Sequence, residues 1–183
     1  VSYSRENEIG RYREAYKSPR YGMGDKRKRK AAEVLAALEP GSLLDVGAGR
    51  GEGVMLARAA GHDPVVGIEP VEYLAGKNNI MVGVATDLPF ATHSWDTVMC
   101  LDVLEHLVPE DVEPALLEFR RVAKKTVFLT ASERPHRFKN LGDLHISKRP
   151  IAEWQELFEK VFTFAEIKPL GMVGVSPGWL IRV

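Results

Sequence analysis

Apolar and polar positions along the chain change rhythm several times, and the changes mark its elements. Ile9, Tyr12 and Tyr16 recur at helical spacing, which predicts an amphipathic helix over residues 4–17. Ser18-Pro19 and Tyr21-Gly22-Met23-Gly24 read as a loop. Asp25 is placed to cap a second helix, with Ala31, Val34, Leu35 and Leu38 on one face and Pro40-Gly41 ending it. From there short apolar runs alternate with helical patterns. Strands are predicted at 43–46, 65–69, 80–85, 96–101 and 126–130. Helices are predicted at 52–60, closed by Gly61, and at 109–124, with Val112, Leu116, Phe119 and Val122 inward. Ile151, Trp154, Leu157, Phe158 and Val161 define a late helix, with Pro150 suited to its first turn. Two last strands are expected near 162–168 and 179–183, joined by Gly171 to Gly178.

Apolar strands alternating with helices predict an α/β fold, a mostly parallel, doubly wound sheet covered on both faces. Seven strands are counted. The chain of 183 residues fits one domain, with 1–40 as a helical cap and 41–183 as a Rossmann-like core. In such sheets ligands bind beyond the carboxyl ends of the strands, where the strand order reverses.

Composition adds a few exclusions. At 45% hydrophobic residues the chain can build a core without disulfides or a structural metal. The lone Cys100 has no internal partner and favours a reducing compartment, read as cytoplasmic. No apolar run approaches the roughly 20 residues needed to cross a bilayer, so no membrane partner is expected. Lys plus Arg equals Asp plus Glu at 25 each, which gives no support to bulk nucleic-acid binding. The local exception is the basic run from Lys26 to Lys30, read first as a solvated helix start and second as a docking patch.

The most informative segment is Asp45-Val46-Gly47-Ala48-Gly49-Arg50-Gly51, between a predicted strand and a predicted helix. Glycines there let the backbone turn sharply and approach a ligand closely. Glu69, beside the strand-halting Pro70, ends the next strand, where a carboxylate can accept hydrogen bonds from both hydroxyls of a ribose. A dinucleotide would require a glycine at Glu52, and a carboxylate at that helix N-terminus repels a pyrophosphate. S-adenosylmethionine (SAM) carries no phosphate. Asp45 at the strand end is placed to help hold its ammonium. The chemistry favours SAM.

From Leu43 through Leu107 the chain resembles the class I SAM-dependent methyltransferases. The matching segments are the glycine loop, Val66-Gly67-Ile68-Glu69, Leu88-Pro89-Phe90, Ser94-Trp95-Asp96-Thr97-Val98 and Asp102-Val103-Leu104-Glu105-His106-Leu107. The resemblance implies a seven-stranded sheet with its last strand antiparallel. It implies that Asp45, Gly47, Gly49 and Gly51 surround the methionine part, that Glu69 with Pro70 holds the ribose, and that Leu101 contributes backbone contacts near the sulfonium. Related sequences carry an aspartate where this chain has Val84. Adenine is therefore expected to meet backbone groups at Ala85 and Thr86, with Val84 and Leu88 packing its faces.

Asp102, Glu105 and His106 follow the fourth strand, where the acceptor should lie. In a helix, positions i, i+3 and i+4 share one face, able to serve as a base site through His106 or as a metal site. A similar run binds a divalent metal in the small-RNA 3′-end methyltransferases and in certain ubiquinone-pathway O-methyltransferases, with His145 then available as a fourth ligand. A divalent metal is the less favoured reading, and structural or capping roles for Glu105 and His106 are the more favoured one. His145 is a candidate base or acceptor contact, Arg149 an anion contact, and the loop with Arg134, His136, Arg137 and Lys139 a guide for an anionic acceptor. Tyr12, Tyr16 and Tyr21 are read as core packing or as a lid over the site, with Tyr21 a candidate acceptor contact. Trp154 and Trp179 are read as core. The sequence thus predicts methyl transfer from SAM to an oxygen, nitrogen or carbon of a small or modest-sized acceptor. Methylation of a nucleic-acid end and SAM binding without transfer are the alternatives.

Overall fold

The computed structural model describes residues 3–183, apart from the side chain of Lys139. Two helices precede the sheet, α1 (Arg5–Ala15) and α2 (Asp25–Ala37). The Ser4 hydroxyl caps α1 by accepting the Asn7 amide at 3.3 Å. β1 (Leu43–Val46), α3 (Glu52–Ala59), β2 (Val65–Glu69) and β3 (Ile80–Val82) follow. Then come β4 (Trp95–Leu101), α4 (Pro109–Val122), β5 (Ala123–Thr130), α5 (Ile151–Val161), β6 (Glu166–Val173) and β7 (Ser176–Arg182). No described helix is long and apolar enough to cross a membrane.

The strands form one seven-stranded sheet in the order β3-β2-β1-β4-β5-β7-β6. β3, β2, β1, β4 and β5 pair in parallel, and β7 runs antiparallel to both β5 and β6. The last strand is therefore the reversed one, as the family resemblance implies. β4 shows how the sheet feeds two layers. Val98 and Cys100 join an apolar cluster with Phe119 of α4 and Phe158 of α5, whereas Met99 and Leu101 join one with Leu35 of α2 and Val54 of α3. All four β1 residues, Leu43 to Val46, are buried because helices cover both faces there.

Two regions depart from the sequence pattern. β3 stops at Val82 instead of running to residue 85, because Val84 turns back to bridge Asp87. The final hairpin is longer than its apolar runs suggest, with β6 and β7 joined only by Gly174-Val175. Prolines and glycines disguised it. Pro169 sits at a register shift in the edge strand β6, where a missing donor is tolerated, and Pro177 lies just past the last β5 partner, Gly178.

The chain leaves β1 toward β2 and β3 on one side, then returns to place β4 on the other. The loops after β1 and β4 thus diverge at the switch point and open a crevice.

Candidate functional site

A cavity of about 500 Å³ occupies that crevice, within the roughly 300–1,000 Å³ usual for small-ligand sites. Gly47, Ala48, Gly49, Glu69, Pro70 and Leu101 line one end. His106, His136 and His145 line the other, while Tyr12, Tyr16 and Tyr21 reach it from the N-terminal segment.

The glycine loop adopts its conformation because side chains are absent. Gly47, Gly49 and Gly51 all have left-handed backbone, with φ of 79°, 53° and 86°. A Cβ at Gly47 would strike Val103, and one at Gly49 would strike the Tyr16 hydroxyl. Gly51 caps α3 away from the cavity, hemmed in by Ile80 and Asn78. Glu69, only 3% exposed, binds the loop from across the crevice. Its Oε2 accepts the Gly49 amide at 2.9 Å and its Oε1 the Val71 amide at 3.1 Å. Burial pushes its pKa up to about 7, against the pull of those two amides.

Asp45 does not line the cavity. Its carboxylate accepts the Val54 amide in the first turn of α3 and abuts Gly53, where a Cβ would collide with it. Burial, with the charges of Glu69 and Glu52, pushes Asp45 up to about 7. Val84 and Ala85 also stand outside the cavity lining, in the turn after β3.

After β4 the chain does not form an α-helix. Asp102 takes a left-handed φ of 54°, and Leu104–His106 make a single 3-10 turn. The shared helical face of Asp102, Glu105 and His106 is therefore not built. Asp102 Oδ1 accepts the Thr130 hydroxyl at 2.6 Å, and Oδ2 pairs with Arg27. Glu105 is fully buried, and burial pushes its pKa up to about 8 although the Arg27 charge opposes the shift. His106 Nδ1 contacts the Leu144 carbonyl at 3.0 Å and the Tyr12 hydroxyl.

The structure instead gathers three imidazoles. One ring nitrogen each from His106, His136 and His145 lies within 4.8 Å of the others. His145 Nδ1 meets the Arg134 carbonyl at 2.6 Å, and burial holds its pKa down to about 4. Burial also draws His106 well below the usual histidine range and lowers His136. His136 stacks face to face with Tyr21, ring centroids 5.9 Å apart. Arg149 lies outside the cavity lining, its guanidinium over the Trp154 ring at 5.5 Å.

Arginines fasten the N-terminal segment over this site. Arg50, in the glycine loop, donates to the carbonyls of Tyr16 at 2.5 Å and Ser18 at 3.1 Å. Arg11 donates to the Leu141 and Asp143 carbonyls at 2.7 and 2.6 Å, and Arg5 grips both oxygens of Asp111. Sequence reasoning missed Arg27, which was absorbed into the basic run. Its signal was helical spacing, since Arg27, Ala31 and Leu35 share one face. It also left His136 in a generic basic loop, and no spacing links that residue to His106.

A family model described as a methyltransferase domain matches residues 44–130. No curated protein matches the chain in sequence. Among solved structures, the chain is similar to the 1,6-didemethyltoxoflavin-N1-methyltransferase of Burkholderia thailandensis, crystallised with bound 1,6-didemethyltoxoflavin and S-adenosylhomocysteine. That match has TM-score 0.72 and 19% identity, over 100% of this chain and 91% of the other. The putative methyltransferase complexed with the Trm112 activator from Haloferax volcanii gives TM-score 0.72 and 16% identity, over 98% and 97% of the two chains. The magnesium protoporphyrin IX methyltransferase of Synechocystis PCC 6803, solved with bound SAM, gives 0.66 and 19%, over 95% and 90%.

Proposed function

We propose that the chain is a class I SAM-dependent methyltransferase that moves the SAM methyl group to an oxygen, nitrogen or carbon of a small or modest-sized acceptor. The observation that carries this reading is the two-ended cavity. Left-handed glycines and a buried carboxylate occupy one end, and neutral imidazoles the other.

The residues present fit SAM on their own chemistry. Gly47 and Gly49 bring bare backbone to the cavity, and Glu69 presents a carboxylate to paired hydroxyls. Leu101 and Pro70 supply apolar wall, while Asp45 and Gly51 act by holding the first turn of α3 in place. When bound, SAM supplies a methyl group on a sulfonium, which leaves as a neutral thioether.

The chain then has to position an acceptor. The segment before β1 covers the cavity and, with Tyr21, packs against the acceptor. Water exclusion and alignment are worth several kcal/mol of barrier, roughly up to 7–11 for a well-oriented pair. His106 and His145 meet carbonyls through Nδ1, which leaves Nε2 lone pairs to receive a polar hydrogen of the acceptor. With a pKa near 4, His145 is a weak base and accepts a hydrogen bond from the acceptor more readily than it takes the proton. Asp102 steadies this end through Arg27 and Thr130. The ring-lined cavity supports a small acceptor over a nucleic acid, and the basic run is not a uniform docking face because Arg27 pairs inward with Asp102.

The test is calorimetric titration with SAM, S-adenosylhomocysteine and NAD, on the native chain and on Glu69→Ala and Gly49→Arg. Binding of the two sulfur nucleosides alone, lost in folded variants, is expected. Failure of either nucleoside to bind the well-folded native chain would remove the reading.

A further inference from the structure

The five histidines of the chain are not dispersed at random, since three of them meet at one wall of the cavity. His106 lies in the turn after β4, and His136 and His145 lie in the long loop after β5. Their ring centroids are 4.5 Å apart for His106–His145, 5.2 Å for His136–His145 and 6.3 Å for His106–His136, with the rings steeply inclined to one another. We propose that His106, His136 and His145 form a binding site for a divalent transition-metal ion that faces the cavity.

Three features of the surroundings support the site. One nitrogen from each ring already lies within 4.8 Å of the other two, close enough for a shared ion to draw them in. The Nδ1 atoms of His106 and His145 are engaged by the carbonyls of Leu144 and Arg134, which fixes the tautomer and leaves Nε2 as the donor atom. Such outer contacts are what orient metal-binding imidazoles. Asp143 Oδ1 accepts the amides of both His136 and His145, at 2.9 and 3.1 Å, so one carboxylate holds the backbone of two ligands.

The donor set defines the ion. Three imidazole nitrogens with no carboxylate suit Zn²⁺, Co²⁺ or Ni²⁺ and not Mg²⁺ or Ca²⁺, which demand oxygen. Asp102 and Glu105 are not part of it, the first being paired with Arg27 and the second sealed in the core. Three protein ligands leave a fourth position open toward the cavity. The role of that position rests on the methyl-transfer reading, in which an acceptor oxygen would occupy it and ionise more readily than beside a weakly basic imidazole. The site itself does not depend on that reading.

The experiment uses the untagged chain, freed of metal by a chelator and titrated with ZnCl2, CoCl2 and MgCl2. One Zn²⁺ or Co²⁺ per chain is expected, with the visible absorption of nitrogen-ligated Co²⁺, and no saturable Mg²⁺ binding. His136→Ala and His145→Ala should each weaken Zn²⁺ binding by roughly 100-fold or more, and His93→Ala, at an exposed histidine elsewhere, should not. The site is overturned if the native chain binds neither Zn²⁺ nor Co²⁺ in a one-to-one ratio, or if both cavity variants bind as the native chain does. A parallel SAM titration separates the two proposals, because SAM binding without metal removes only this one, and metal binding without SAM removes only the methyl-transfer reading.

Discussion

The hydroxyl of Tyr16 rests over the α-carbon of Gly49, so that any side chain at position 49 would enter the space it occupies. Gly49 also has a φ of 53°, which costs an L-residue about 1–2 kcal/mol. Two penalties therefore fall on Gly49→Ala, one in the backbone and one against the tyrosine. Gly49→Ala should destabilise the fold by roughly 2–3 kcal/mol. Tyr16→Phe in the same chain should return part of that loss, because it removes the clashing oxygen but not the strain. Denaturant midpoints of the two single variants and the double variant measure the coupling. Strict additivity would mean that Tyr16 does not sit over Gly49 in solution.

Arg50 is the latch between the glycine loop and the segment that covers it. Its guanidinium donates to the carbonyls of Tyr16, Ser18 and Tyr21, and stands 5.6 Å from the Tyr16 ring centroid. A lysine supplies the charge but not the planar fork, so it cannot reach several carbonyls in fixed directions. Arg50→Lys should leave the sheet intact and loosen residues 16–24. Hydrogen exchange in that segment should rise while β1 and β4 remain protected. SAM dissociation should quicken by about tenfold, for a loss on the order of 1.4 kcal/mol in closing the cover. Unchanged exchange across residues 16–24 would refute the latch.

How far the sequence reaches depends on the range of the interactions involved. β1 and β2 were legible to the residue because a strand buried on both faces is largely apolar, with its one carboxylate at or beside its carboxyl end, and is cut off by glycine or proline. The hairpin of β6 and β7 was shortened in the reading because Pro169 and Gly171 look like loop, and only pairing with β7 makes an edge strand of them. Gly47, Gly49 and Glu69 were legible because their spacing is local to one strand-turn-helix unit. The imidazole cluster was not, since 30 residues separate His106 from His136 and only the packing of the β5 loop against the turn after β4 closes the gap. The left-handed Asp102 was hidden too. It turns the chain out of the helix that the Asp-x-x-Glu-His spacing suggested.

Asp45 and Glu69 make stability depend on pH. Each carboxyl rises on folding, from 3.8 and 4.5 to about 7, chiefly through burial. A group that holds its proton more tightly when folded stabilises the fold fully below its unfolded pKa, and that contribution is lost as pH rises through the folded value. Buried Glu105, raised to about 8, acts in the same sense, while the lowered His106, His136 and His145 act in the opposite sense up to their unfolded value of 6.5, so the stability of the SAM-free protein should fall between about pH 6.5 and pH 8. Glu69→Gln removes one of these three carboxyl titrations, so the slope should shrink, while its amide nitrogen faces one of the two backbone amides that Glu69 accepts and lowers stability at acid pH. SAM affinity should fall in the same variant, since the ribose loses a charged acceptor. A native chain whose urea midpoint is flat or rising from pH 6.5 to 8 would contradict the burial of these carboxylates.

The pair Arg27–Asp102 joins α2 to the end of β4, and its two side chains are only 19% and 7% exposed. Burial lowers the Arg27 pKa from its usual value, so the ion is held at a desolvation cost that its neighbours must offset. Removing the arginine leaves the Asp102 carboxylate with the Thr130 hydroxyl alone, in a left-handed conformation it cannot readily leave. Removing the charge of Asp102 is milder, because asparagine tolerates that backbone and retains an oxygen for Thr130. Arg27→Met keeps the packing of the aliphatic stem and isolates the charge. It should cost about 3 kcal/mol, whereas Asp102→Asn should cost closer to 1–2 kcal/mol. The double variant should be less damaged than the sum, because it leaves no member of the pair as an unpaired buried ion. Chemical denaturation with unchanged m-values is the appropriate measurement, and the order of the two single variants decides the matter. If Asp102→Asn proves the costlier change, the aspartate serves the cavity wall through its charge and not through Arg27.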